Sequence, residues 1–342
     1  MLTIHTPDHA LHRGTSELSD GRLRESYECP ERVGNVLVHL RKAGLGEIVL
    51  ADEVGLDVLT GIHSRDYLDF LETAWDSWAA EGRDCDALPF VWPGRGMRRV
   101  RPEHIDGQLA YYAFDVGTPI TAGTWPAAIA AARVAVSGAT RLSGGEPAVF
   151  SLCRPPGHHA ASDVYGGYCF LNNAAAAAQR LRETGASRVA ILDIDYHHGN
   201  GSQSIFYDRS DVLFASIHAA PEHDYPYFSG FADERGVGDG EDCNLNIPLP
   251  RHTTFDAWAG ALDAACSRVE RFRADALVVS LGVDTYAGDP ISDFLLQSDD
   301  YFRAGERIAK VGRPTLFVME GGYAVDAIGI NVVNVLAGFC ST

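Results

Sequence analysis

Ionisable side chains in this sequence gather at the ends of short apolar runs. The run at 148–152 is followed by Arg154-Pro155-Pro156-Gly157-His158-His159, and the run at 189–192 by Asp193-Ile194-Asp195-Tyr196-His197-His198-Gly199-Asn200. The run at 277–282 leads to Asp284, and the run at 315–319 to Glu320-Gly321-Gly322-Tyr323. Asp195 and His197 stand two apart at a strand's end, a spacing that predicts both side chains on one side. With Asp284 from another strand they make two carboxylates and one imidazole, a set that suits Zn²⁺ with a position open for water or substrate. Such a metal lowers the pKa of its bound water towards ~7 and polarises a carbonyl, so hydrolysis is the natural use. A lone Asp-x-His is more simply a solvated strand end; its company here favours the metal.

Adjacent histidines are otherwise surface residues or incidental metal binders, but His158 and His159 follow two prolines and a glycine and so sit in a stiff turn. Carboxylate or amide partners fix histidine tautomers and tune their pKa values, and Asp193 and Asn200 are available for that in the neighbouring segment. General acid–base work is the expectation. Tyr323 follows two glycines, a flexible pair that lets its phenol swing against a polarised carbonyl as an oxyanion donor. Taken alone, such a tyrosine is packing.

The elements that must carry these groups read as buried strands at 2–5, 148–152, 188–195, 212–218, 276–282 and 315–320. Their continuous apolar character is that of a parallel sheet covered on both faces. Stretches of helical length stand between them, including 172–184, closed by Gly185, and 254–273. Strand and helix alternate, giving an α/β doubly wound sheet whose ligands collect at the carboxyl ends of the strands. No linker, repeat or compositional break divides the chain, so one domain over 1–342 is expected.

The irregular stretch 81–104 carries five prolines and glycines after Gly82 (Pro89, Pro93, Gly94, Gly96, Pro102) and a basic cluster at Arg95, Arg98, Arg99 and Arg101. With Phe90, Val91 and Trp92 expected at its surface, it reads as a partner-binding loop. Gly236-Val237-Gly238-Asp239-Gly240 resembles a nucleotide-binding turn only superficially, since no strand leads in and no helix opens from it.

Counting 28 Lys plus Arg against 46 Asp plus Glu gives a net charge of -18. That field repels nucleic acid and anionic membrane and concentrates cations, although solubility alone accounts for it equally well. At 342 residues and 46% hydrophobic content the chain can bury a sizeable core. The seven cysteines lack Cys-x-x-Cys spacing and read as reduced thiols. No leader-like start and no apolar run near the ~20 residues of a membrane span are present, so a cytoplasmic protein is expected.

Taken together, these residues and the segment Gly166-Gly167-Tyr168-Cys169-Phe170-Leu171-Asn172-Asn173 resemble the zinc-dependent deacetylase family, which includes the histone deacetylases, and within it the acetylpolyamine amidohydrolases. The likeness spans essentially the whole chain and also takes in 193–201 and Ser280-Leu281-Gly282-Val283-Asp284. It implies a three-layer α/β/α domain of the arginase-deacetylase fold with a mostly parallel sheet. It implies one zinc per subunit on Asp195, His197 and Asp284, with His159 as general base and then acid. His158, paired with Asp193, would be an electrostatic partner, and Tyr323 the oxyanion donor. By the same resemblance Tyr168 and Tyr225 wall a substrate tunnel. A structural potassium uses Asp193, Asp195, His197, Ser216 and Ile217, and a second lies near Phe206, Arg209 and Val212. The loop at 81–104 would build a homodimer that narrows the entrance. Asn200 stands where many histone-type enzymes carry Asp. Acidic residues near the mouth of such enzymes meet a distant ammonium; here Asp106 is shorter than the expected Glu, position 117 is Gly117, and Glu17 is available.

The implied reaction releases acetate and free amine from a small cationic acetylated polyamine, such as acetylputrescine, acetylcadaverine or acetylspermidine. Deacetylation of protein lysines or of another small acetylated amine is the alternative. Arginase-like chemistry needs second-metal ligands, and here Gly199 and Tyr286 occupy the places that the arginase pattern gives to aspartates. A catalytically dead binding protein would have lost a ligand or base, and every one is present.

Overall fold

The computed structural model describes residues 1–19 and 21–342. In chain order its strands are β1 (Leu2–His5), β2 (Glu17–Ser19), β3 (Arg22–Arg24), β4 (Ile48–Leu50), β5 (Ala148–Ser151), β6 (Val189–Asp193), β7 (Val212–Ala219), β8 (Asn244–Leu249), β9 (Ala276–Leu281) and β10 (Thr315–Met319). The helices are α1 (Glu31–Ala43), α2 (Arg65–Ala80), α3 (Ile105–Tyr112), α4 (Thr124–Ser143), α5 (Asn173–Glu183), α6 (Asn200–Phe206), α7 (Phe255–Phe272), α8 (Ser298–Ala309) and α9 (Val325–Cys340). Eight strands form one sheet in the order β4-β1-β5-β10-β9-β6-β7-β8, every pair parallel, while β2 and β3 make a separate hairpin.

Alternation of side chains explains why the strands read as unbroken apolar runs. Along β6, Val189 and Ile191 enter one core while Ala190 and Leu192 enter the other, and β9 splits the same way at Val278 and Leu277. Helices α2, α3, α4 and α5 cover the first face and α1, α7, α8 and α9 the second. The result is three layers, and the crossovers leave the carboxyl ends of β5, β10, β9 and β6 side by side at the sheet's centre.

Helix boundaries follow local chemistry. Asn172 caps α5, its side chain accepting from Ala175 N at 2.9 Å, and Ser64 does the same for Tyr67 N at the start of α2. Residues 81–104 form no helix or strand, but the loop is anchored. Trp92 is half-buried rather than exposed as expected, because its indole N–H donates to Ala113 O at 2.8 Å. Arg83 pairs with Asp106 and Arg101 with Asp66, and Ala87 bridges Ile120. Phe90 and Met97 remain 72% and 64% exposed at its surface. Among the described residues no helix is long and apolar enough to cross a membrane.

Candidate active site

The four central strand ends deliver their polar groups to one place. Strand β6 stops at Asp193, so Asp195 and His197 lie in the following turn and not on a strand as expected. They converge nevertheless: His197 Nδ1 is 3.3 Å from Asp195 Oδ1 and 3.1 Å from Asp284 Oδ2. Backbone donors aim the carboxylates, Tyr196 N onto Asp284 Oδ1 at 2.8 Å and Gly321 N onto Asp195 Oδ2 at 2.8 Å. Glycine is required at 321, because a Cβ there would stand 2.5 Å from both Asp195 Oδ2 and Asp284 Oδ2.

These three residues fit a divalent metal. Their donor atoms all lie within 4.8 Å of one another and all three side chains are buried. Burial and the adjacent Asp195 carboxylate push the Asp284 carboxyl above its ordinary range. Burial disfavours charge on His197, yet hydrogen bonds to both carboxylates push it up to about 10. Two carboxylates with one histidine form a hard-to-borderline donor set.

The rings of His158 and His159 lie with centroids 4.0 Å apart, tilted by 45°, but their environments differ. His158 Nδ1 is 3.0 Å from Asp193 Oδ2. Burial opposes its charge, but Asp195 and Asp193 prevail and push its pKa up to about 10. His159 Nδ1 is 2.7 Å from Asn200 Oδ1, a neutral partner. Burial, with His158 and His197 nearby, holds His159 well below the usual imidazole range. Their turn is fixed by Glu320, whose Oε2 accepts from Gly157 N at 2.6 Å and His158 N at 3.1 Å.

Above this floor opens a cavity of about 350 Å³. His159, His197 and Tyr323 reach its base, Tyr168 and Tyr225 line it, and Glu17, Asp115 and Asp224 also face it. No lysine or arginine is among the lining residues described. Glu17 Oε2 is buried without a hydrogen-bond partner among the described residues, and burial pushes its carboxyl up. Tyr323 is 7% exposed, with the Arg32 guanidinium 4.8 Å from its ring.

Asp106 is not brought to the cavity: it opens α3 with its carboxylate paired to Arg83. Ser216 and Ile217 lie on β7, where Asp193 and Ser216 are direct neighbours across the β6–β7 pair, and Asp195 N donates to Asp193 Oδ1 at 3.2 Å. Phe206 ends α6, Arg209 N donates to Phe206 O at 3.0 Å, and Val212 opens β7.

Sequence reasoning missed Asp115, whose carboxylate accepts from Gly167 N at 2.6 Å, Tyr225 OH at 2.7 Å and Gly117 N at 3.1 Å. The Asp115-Val116-Gly117 turn was its only local signal. Asp224, Tyr227 and Ile291, which also line the cavity, were missed too; they come from loops that only tertiary packing brings together.

Comparison with known proteins agrees with this geometry. A family model described as the histone deacetylase domain matches residues 26–339. The chain is 55% identical to acetylpolyamine amidohydrolase 2 of Pseudomonas aeruginosa, over 99% of this chain and 98% of that protein. It is 47% identical to the acetylpolyamine amidohydrolase of Mycoplana ramosa, over 99% of each. The crystal structure of acetylpolyamine aminohydrolase from Burkholderia pseudomallei matches with a TM-score of 0.94 at 40% identity, covering 99% of this chain and 98% of that one. The HD domain of HDA15 matches with a TM-score of 0.82 at 26% identity, covering 100% and 91%. The parallel sheet between two helical layers is the arginase-deacetylase fold, and the chain belongs to the histone deacetylase domain family of amide-hydrolysing enzymes.

Proposed function

We propose that this protein is a zinc-dependent deacetylase of acetylated polyamines, hydrolysing the acetamide to acetate and a free amine. One observation carries the choice of substrate: the cavity above the histidine pair is lined by three carboxylates and four tyrosines, and no lysine or arginine is among the described residues that line it; Arg251 reaches Asp224 only at 4.0 Å, from outside the lining. An alkyl chain bearing a distal ammonium matches that lining, with the methylenes between Tyr168 and Tyr225 and the ammonium near Glu17. Asp106, paired with Arg83, is left out of this contact set.

Asp195, His197 and Asp284 would hold the zinc, which would supply a Lewis acid to acidify water and polarise the amide carbonyl. His159 donates its Nδ1 proton to Asn200 Oδ1, which leaves Nε2 as the acceptor for the proton of the attacking water. The same nitrogen then returns that proton to the leaving amine. His158 stays charged against Asp193 and keeps its neighbour neutral, so the two histidines divide the roles. The Tyr323 hydroxyl donates to the oxyanion. A structural potassium among Asp193, Asp195, His197, Ser216 and Ile217, and a second near Phe206, Arg209 and Val212, belong to the same proposal, as does a homodimer through 81–104. Seven free cysteines suit a reducing, cytoplasmic setting.

The test compares kcat/KM of the zinc-reconstituted protein on acetylputrescine, acetylcadaverine and acetylspermidine with an acetyl-lysine peptide. The small amines are expected to win clearly. A preference for the peptide would reassign the substrate to protein lysines and leave the hydrolytic chemistry standing.

A further inference from the structure

Asp289 takes no part in the chemistry described above, yet it is the one inward-facing residue of an otherwise exposed turn. Ala287, Gly288 and Pro290 around it are exposed, while Asp289 is buried at 7% exposure. Its own N–H donates to Tyr286 O at 2.9 Å, which fixes the turn. One carboxylate oxygen, Oδ2, accepts from Tyr323 N at 2.7 Å and Ala324 N at 3.1 Å. The other, Oδ1, accepts from Ile291 N at 3.2 Å.

The segment it grips needs gripping. Gly321 and Gly322 precede Tyr323, and Gly322 has a φ of +130°, so the backbone leading into the tyrosine has no side chain to lock it. Arg32 holds the carbonyl side of this link through Gly322 O at 2.7 Å. The helix that follows, α9, starts at Val325, and its N-cap residue Ala324 makes no side-chain cap. Asp289 thus fixes, from another strand's loop, the N–H groups of the two residues that lead into α9, and its charge also suits the positive end of that helix. Through Ile291, which lines the cavity, the same carboxylate joins the wall to the base.

We infer that Asp289 is a positioning residue for the deacetylation reaction: it sets where the Tyr323 hydroxyl stands over the cleaved amide and ties that placement to the Ile291 wall. This rests on the oxyanion role proposed for Tyr323. A displaced donor loses part of what it contributes; complete loss of one costs ~100- to 1,000-fold, and a misplacement of about 1 Å costs up to ~100-fold.

The experiment is a double-variant cycle on zinc-loaded protein with acetylputrescine: wild type, Asp289→Asn, Tyr323→Phe and the pair together, with bound zinc and melting temperature measured on each. Asp289→Asn is expected to lower kcat by roughly 10- to 100-fold, with KM and zinc content near wild type. The pair is expected to be no slower than Tyr323→Phe alone, since a misplaced ring without its hydroxyl has nothing further to lose. Asp289→Glu, which keeps the charge but moves the oxygens, is expected to fall between. Additive losses in the pair, or wild-type turnover in both Asp289 variants, would overturn the inference. So would loss of zinc or a collapsed melting temperature in both, which would mark Asp289 as a purely structural residue. Wild-type turnover in Tyr323→Phe itself would strike the oxyanion role and not the Asp289 contact.

Discussion

His158 and His159 are neighbours in sequence with opposite electrostatics, and one atom accounts for much of the difference. His158 faces the carboxylate of Asp193, whereas His159 faces the neutral amide oxygen of Asn200. A base that must be neutral at working pH needs the second arrangement. Since burial, His158 and His197 hold His159 low, the acid limb of kcat/KM should lie below the ordinary imidazole value of about 6.5. Asn200→Asp places a carboxylate against Nδ1, which favours the imidazolium and raises its pKa. The acid limb in a pH–rate profile should therefore move to higher pH in the variant, while the wild-type limb stays low. An unmoved limb would show that His159 is not the group whose protonation stops the reaction. The histidine pair, the cluster of Asp195, His197 and Asp284, and Tyr323 were all legible in the sequence because each follows an apolar run within a few residues. Asp115 and Asp289 were not: each has one partner two residues on, Gly117 and Ile291, which marks no more than a turn, and the partners that tie them to the site lie 34 to 110 positions away.

At the scale of elements, the histidine turn is held by packing between α2, α5 and α6 as much as by the strand beneath it. His63, just ahead of α2, donates from Nδ1 to Ala161 O at 2.8 Å and accepts at Nε2 from Asn172 N at 3.0 Å. Asn172 in turn donates to Ala160 O and Ser202 Oγ, next to His159 and Asn200. Protonating His63 would set two donors against each other, and burial holds its pKa down to about 4. The folded value lies below the unfolded 6.5, so the stability His63 contributes is complete above about pH 6.5. It is lost as pH falls towards 4, at about 1.4 kcal/mol per pH unit. Chemical denaturation of wild type and His63→Gln at pH 7.5, 6.0 and 5.0 should show their stability gap narrowing at that rate below 6.5. A constant gap would mean that His63 is not kept neutral. The six predicted strands were readable because both faces of each are buried. Strands β2, β3 and β4 have three residues each, too few for a periodic pattern, and β8 is an edge strand carrying Pro248, which breaks the apolar run.

At the scale of the molecule, a net charge of -18 opposes the approach of two copies, so a homodimer needs a surface that offsets it. The loop at 81–104 has the right chemistry. Arg95, Arg98, Arg99 and Arg101 cluster in it, and Phe90, Val91, Met97 and Val100 are all exposed beside them. Its Trp92, Arg83 and Arg101 contacts hold it to its own chain, so this surface is presented by a fixed loop and association would order few additional groups. Deleting the loop would strip those anchors and confuse folding with assembly; exposed tip residues are the cleaner target. Phe90→Glu with Met97→Glu adds charge where apolar surface would be buried and touches none of the anchors. On a sizing column with light scattering, the wild type should run at about twice the 36.9 kDa chain mass and the variant at one chain mass, with melting temperature little changed. The freed entrance should also raise kcat/KM on an acetyl-lysine peptide relative to acetylputrescine. If the mass does not change, the loop is not the interface. If the mass halves while the substrate ratio stays fixed, the cavity's own walls, and not the second copy, select slender substrates.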